Sequence, residues 1–401
     1  MLAAALTACG PAATPAEETT SAATTGAATG TAAPTSDTGA AGTSTTGAAS
    51  TGAETAGEES WIPPVCGEDL FVPLVAAAPN IALVVERSGS LVAAANFWDH
   101  DADDPDDDGL TDAMTPATPR QARWPGVARA VKAMLAAHDH QVHVGLGLFP
   151  AASATNAHSA AACPVDPTLA VAVAAMHADA VVAALPAEHD ETLAGASPAT
   201  NAVRAALAGL AAVRDAGFKY VVLITDGPPN CQDDAADEAA LLETVDPQLA
   251  VEIGEAFAQG IRTLVVGVAV KNVKTEPVVD SEPDGVRPFA QLKAAAIAGG
   301  ATVSPWFYDA QDEAQLALEL ERIAALTVCT FPLEPRPDVP DYMELVVGGL
   351  NYGYARDDPC ADRDGWRYVD HSESALELCN AACAQFMAGE ALVGRLRCPN
   401  D

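Results

Sequence analysis

Three short stretches of this sequence carry oxygen atoms at positions that could hold a hard cation. Glu86-Arg87-Ser88-Gly89-Ser90 directly follows the unbroken apolar run IALVV. Ser197, with Thr200 close behind it, lies in GASPATNAVRAAL, where a loop enters a helical pattern. Asp226 lies in VVLITDGPPN, again at the end of an apolar run. Hydroxyl and carboxylate oxygens are the donors that Mg²⁺ and Ca²⁺ select. Serine and aspartate also serve as plain turn and capping residues, so each stretch alone says little.

A second oxygen-rich stretch is WDHDADDPDDDGLTDAM, at 98–114. Asp104, Asp106, Asp108 and Asp112 fit DxDxDGxxD, the opening of an EF-hand-type calcium loop. Gly109 falls at its sixth position and Leu110 would offer a carbonyl. The twelfth position holds Thr115 where a bidentate Glu belongs, so weak Ca²⁺ binding is expected. Runs of this kind are also often just solvated. Other chemistry finds little support. RSGSL is not a G-x-S-x-G nucleophile elbow, no Ser-His-Asp set stands out, and there is no Gly-rich phosphate loop. His138, His140 and His143 cluster in sequence, at a helix end that favours imidazole. No enzymatic activity is expected.

The elements that must position these residues follow from hydrophobic periodicity. The runs at 80–86, 218–227 and 261–270 are continuously apolar and read as strands buried on both faces. QVHVGLGLF, at 141–149, reads as a further strand. Helical spacing covers 124–139, 197–217 closing on Gly217, 236–259, 288–300 and 311–327. Residues 168–185 mix a short strand and a helix, and VSPWFYDA reads as a short strand. Apolar strands alternating with helices predict an α/β fold with a doubly wound, mostly parallel sheet. Ligands of such sheets bind at the carboxyl ends of the strands, where the polar stretches fall. After Cys329 a Pro-rich stretch leads into 330–401, read as a small, disulfide-rich, partly β appendage.

The order strand–DxSxS, then a hydroxyl at a helix entry, then strand–TDG, resembles the metal-ion-dependent adhesion site of von Willebrand factor type A domains. The resemblance spans about residues 75–328 within a domain expected at 66–329, with the acidic stretch 98–115 as an insertion. It implies a Rossmann-like sheet and a site of Glu86, Ser88, Ser90, Ser197 and Asp226. Ser88 and Ser90 would hold Mg²⁺ (or Mn²⁺) directly, Ser197 stands where the family usually has Thr, and Asp226 would act through water. A carboxylate of a protein or glycan partner would complete the coordination. Glu86 departs from the family's Asp; its extra methylene moves the carboxylate by about 1.5 Å.

Composition narrows the function classes. Fifty-five acidic and 20 basic residues give a net charge of −35. That excludes a nucleic-acid partner, which needs clustered Lys and Arg. No run of 18 strongly apolar residues follows the N-terminus. LTAC, at 6–9, looks like a bacterial lipobox with Cys9 as the lipidated residue, although the preceding eight residues hold no Lys or Arg. Residues 10–60 contain almost only small and polar residues and read as a disordered tether. Such a chain spans roughly 40 Å. Membrane contact is thus expected only through an N-terminal lipid anchor, in an exported lipoprotein of the cell envelope. Export suits the other eight cysteines, an even number that implies disulfides. Cys163 and Cys231 should pair at the ligand-binding edge. Cys66 and Cys329 bracket the domain, whose ends should lie close together. Cys360, Cys379, Cys383 and Cys398 would then pair among themselves. The expected function is a tethered, divalent-cation-dependent binding module of adhesion type. The alternatives are a scaffold whose metal site has degraded and a secreted metal-assisted hydrolase.

Overall fold

The computed structural model describes residues 70–72, 77–96, 98, 121–215, 217–301, 306–333, 343–355, 360, 363–369 and 375–396. The proposed calcium loop (Asp104, Asp106, Asp108, Leu110, Asp112) lies outside them, as do Cys9, Cys66 and Cys398.

A short strand, β1 (Leu70–Val72), comes first and belongs to the C-terminal sheet below. The main sheet is built from β2 (Asn80–Glu86), β3 (His143–Phe149), β4 (Val171–Ala175), β5 (Lys219–Thr225), β6 (Ile261–Val268) and β7 (Tyr308–Ala310). Its order is β4-β3-β2-β5-β6-β7, parallel except for β4, which runs antiparallel to β3. Counted along the chain within this sheet, that is 3-2-1-4-5-6, the doubly wound order. The order reverses between β2 and β5, so a crevice must open beyond their carboxyl ends.

The helices follow from burial on two sides. Every residue of β2 is buried. Ile81, Leu83 and Val85 point to one face, against α1 (Arg123–His138), α2 (Ala178–Ala184) and α7 (Glu313–Val328). Ala82 and Val84 point to the other, against α3 (Ala199–Ala212), α5 (Gln248–Ala258) and α6 (Pro288–Ala298). The side-chain period of two in a strand thus feeds two separate cores. This is why the strand runs show no polar alternation.

Two expectations change and one boundary is set. The helical stretch at 236–259 is two helices, α4 (Glu238–Leu242) and α5, because Pro247 cannot continue the first. The mixed stretch 168–185 resolves into β4 and α2. Helix α3 stops at Ala212, so Gly217 does not close it. Gly217 instead lies against the chain before β2: a Cβ there would stand 1.9 Å from the Ala78 carbonyl oxygen.

The C-terminal region is partly β, as expected, with two small sheets. One has the order β1-β13-β9-β10, using β9 (Met343–Val347), β10 (Leu350–Tyr352) and β13 (Leu392–Leu396). The other is β11-β12-β8, from β8 (Thr330–Pro332), β11 (Gly365–Tyr368) and β12 (Ala375–Cys379). With α8 (Asn380–Met387) they enclose one core around Phe331, Leu345, Trp366 and Leu378. Cysteine pairing departs from expectation here. Cys329 bonds Cys383, 54 residues on, and so is not the partner of Cys66. Cys360 does pair with Cys379 within its group. The reason is topological: α7 runs straight into β8, which pairs with β12, and α8 follows β12 at once. Cys329 at the end of α7 therefore faces Cys383 in α8.

Candidate functional site

The end of β2 delivers Glu86, Ser88 and Ser90, and the end of β5 delivers Thr225 and Asp226. Ser197 enters from the loop before α3. All five residues named by the sequence meet at the switch point.

Glu86 lies deepest, at 1% exposure. Its Oε1 accepts a hydrogen bond from Ser197 Oγ at 2.5 Å. Its Oε2 accepts from Thr225 Oγ1 at 2.5 Å and from the Asp226 backbone N–H at 3.1 Å. Burial, with the charge of Asp226 nearby, pushes its pKa up to about 8 against the pull of the Ser197 and Thr225 hydrogen bonds. Glu86 therefore holds its proton well above the ordinary carboxylate range. Thr225 serves both forms, since its hydroxyl is also 3.1 Å from the Gly227 carbonyl. It donates to the carboxylate or accepts from the acid while donating to that carbonyl.

Ser88 and Ser90 stand in front of it. Ser90 Oγ donates to Asp226 Oδ1 at 2.9 Å, and Ser88 Oγ is 2.7 Å from Ser90 Oγ. Either serine can donate across that contact, and Ser88 also hydrogen-bonds Glu86. The other oxygen of Asp226, Oδ2, accepts from Arg123 Nη1 at 3.2 Å. This ion pair is itself buried, with side-chain exposures of 7% and 3%.

The scaffold around the cluster is tight. Asn230, fully buried, accepts from the Ser197 N–H at 2.9 Å and donates its own backbone N–H to the Ser197 carbonyl at 3.1 Å. Gly89 is glycine because Asn156 lies over it: a Cβ would come within 2.7 Å of Asn156 Oδ1. That same oxygen accepts from Gly195 N–H at 2.9 Å, in the loop that carries Ser197. The expected Cys163–Cys231 disulfide is present and ties two rim loops together. Cys231 has φ +64°, and Ala269 and Ser281, at the cleft wall, have φ +52° and +69°. Left-handed backbone at non-glycine residues costs energy and concentrates at functional sites.

The cluster opens into a cleft of about 310 Å³. Its lining includes Ser88, Ser90, Arg123, Ser197, Asp226 and Lys274. Among the described residues no group of three or more His, Cys, Asp or Glu converges as a metal cluster. What converges is two carboxylates with three serine hydroxyls, a purely hard donor set. Serine hydroxyls keep lone pairs while they hydrogen-bond one another and the acidic side chains, so the residues fit a small oxygen-seeking dication.

Thr200 and the histidines stand apart from the cluster. Thr200 sits inside α3, and its Oγ1 is buried without a hydrogen-bond partner among the described residues. The histidines do not converge. His138 bonds Gln141 and Glu321, and His143 bonds Asn80 and Asp215. Sequence reading missed Thr225, Asn230 and Arg123. Arg123 had a signal: a cation in the first turn of a helix opposes the helix dipole. A residue against its local preference is one to examine.

No protein-family model matches the chain, and neither does any curated protein. Solved structures similar to it include the pilus adhesin SpaC from Lactobacillus rhamnosus GG, at 14% identity and TM-score 0.45 over 80% of this chain and 40% of that one. The PilB minor pilin from Streptococcus sanguinis is 16% identical, TM-score 0.38, over 63% and 62%. BatB, a conserved hypothetical protein from Bacteroides thetaiotaomicron, is 13% identical, TM-score 0.34, over 61% and 96%. This chain spans less than half the length of the adhesin. At such identities and scores the likeness carries no inference about function.

Proposed function

We propose that this chain is an exported, surface-tethered binding module of the von Willebrand factor A type. It captures a carboxylate of a protein or glycan partner through Mg²⁺ or Mn²⁺. The observation that carries this reading is the convergence of three serine hydroxyls and two carboxylates at the sheet's switch point. Ser88, Ser90 and Ser197 are hydrogen-bonded within this cluster and line the cleft, where their lone pairs can meet a cation. Ser88, Ser90 and Ser197 would hold the cation, with Asp226 and Glu86 behind them. A cation ligated by neutral hydroxyls keeps most of its charge and draws one more anion, which the partner supplies. Glu86 takes part by giving up its proton when a positive charge arrives in front of it.

Export is supported by the three disulfides among the described residues. Cys9 is the proposed lipid anchor. Binding rather than catalysis is supported by the serines' partners. Among the described residues no histidine hydrogen-bonds Ser88, Ser90 or Ser197, so no Ser-His-Asp arrangement forms there.

One observation favours the scaffold alternative: Arg123 already neutralises Asp226. Calorimetry with Mg²⁺ on the full chain separates the two readings. The binding module gives a saturable heat that disappears in Asp226→Ala. Its capture of a partner from envelope extract is lost in EDTA and restored by Mg²⁺. Absence of Mg²⁺ and Mn²⁺ binding leaves the scaffold.

A further inference from the structure

We infer that Arg123 is the resident counter-ion of this site and competes with the divalent cation for Asp226. The inference rests on the cation-site reading above and adds what sets the affinity of that site.

Three features show that placing the guanidinium here is costly. Arg123 is the first residue of α1, where the helix dipole disfavours positive charge. Its side chain is 7% exposed, so most of its hydration is gone. Its Nε is buried with no hydrogen-bond partner among the described residues. A surface ion pair would show none of these costs. Among the described residues, what offsets them is the contact of Nη1 with Asp226 Oδ2 at 3.2 Å, with the charge of Glu282 nearby at the cleft wall.

The location decides the consequence. Asp226 has two oxygens: Oδ1 receives Ser90, one of the cation-holding hydroxyls, and Oδ2 receives Arg123. A dication seated on Ser88 and Ser90, at about 2.1 Å from their oxygens, meets the same carboxylate from the Ser90 side. Arg123 and the dication then draw on one negative charge and repel each other across a few ångströms with little water between them. The Arg123–Asp226 pair already balances the charge of that carboxylate at the cleft wall. Cation entry has to loosen the ion pair, and the freed guanidinium remains at the cleft wall.

The test uses the full chain with Mn²⁺ alone as the probe, counting bound ion by electron paramagnetic resonance. Arg123→Gln should bind Mn²⁺ at least about tenfold tighter than wild type. Arg123→Lys keeps the charge and should stay within about threefold of wild type. The Mn²⁺-induced rise in Tm should be larger for Arg123→Gln as well. If the glutamine variant fails to fold, Arg123→Met, which keeps an aliphatic stem against the same neighbours, must show the gain. Wild type that binds while the neutral variants bind equally or more weakly overturns the competition and leaves the cation site standing. Failure of every variant to bind overturns both.

Discussion

Two buried glutamates, one at each end of this molecule's main business, are handled in opposite ways. Glu377, on β12 in the C-terminal region, is 2% exposed and faces Arg367 across the β11–β12 ladder. Arg367 Nε and Nη2 both lie 2.8 Å from its Oε2. Glu86 is as deeply buried, yet its side chain meets only hydroxyls and one backbone N–H. The cation nearest the cluster, Arg123, is spent on Asp226 instead. Where a carboxylate serves the fold, the chain supplies its counter-charge in the neighbouring strand. Where it lies behind the cleft, the counter-charge is left to protonation and, on the proposed reading, to an ion from outside.

The comparison breaks first at Arg367. Arg367→Ala strands Glu377 as an unpaired buried charge, and urea unfolding should show a loss of about 3–5 kcal/mol. A loss below about 1 kcal/mol would mean that Glu377 is satisfied some other way.

The next largest effect is on pH dependence. Glu86 holds its proton more tightly when folded, with a pKa about 8 against an ordinary 4.5. Its contribution to stability is therefore fully present below pH 4.5 and fades as pH rises through 8. In EDTA, wild type should lose roughly 4 kcal/mol relative to Glu86→Gln between those limits. Parallel stability curves for the two proteins would show that Glu86 is ionised throughout. The smallest effect on the fold is at the front of the cluster. Ser90→Ala should cost about 1 kcal/mol of stability while abolishing the Mg²⁺ heat, which separates holding the site together from holding an ion.

Much of this was legible before any coordinates. The runs around 80–86, 218–225 and 261–268 became interior strands because continuous Val, Ile and Leu suit burial on both faces. The polar residues at their ends then had to share one edge. Cys163 and Cys231 could be paired because both follow strands that finish at that edge. What could not be read was set by side chains meeting across long separations. Cys329–Cys383 depends on β8 pairing with β12, which no local pattern announces. Thr225 appeared only as part of a TDG turn, although its hydroxyl meets Glu86, 139 residues away. The pattern shows where a residue lies along a strand, but not which neighbour's proton it takes.

The Cys163–Cys231 bridge also bears on the unfolded chain. It joins the loop after β3 to the loop after β5 and closes a covalent ring across a sequence separation of 68. Ser197 and Asp226 both fall inside that ring, so the oxidised chain keeps these two residues of the cluster within reach of one another even before it folds.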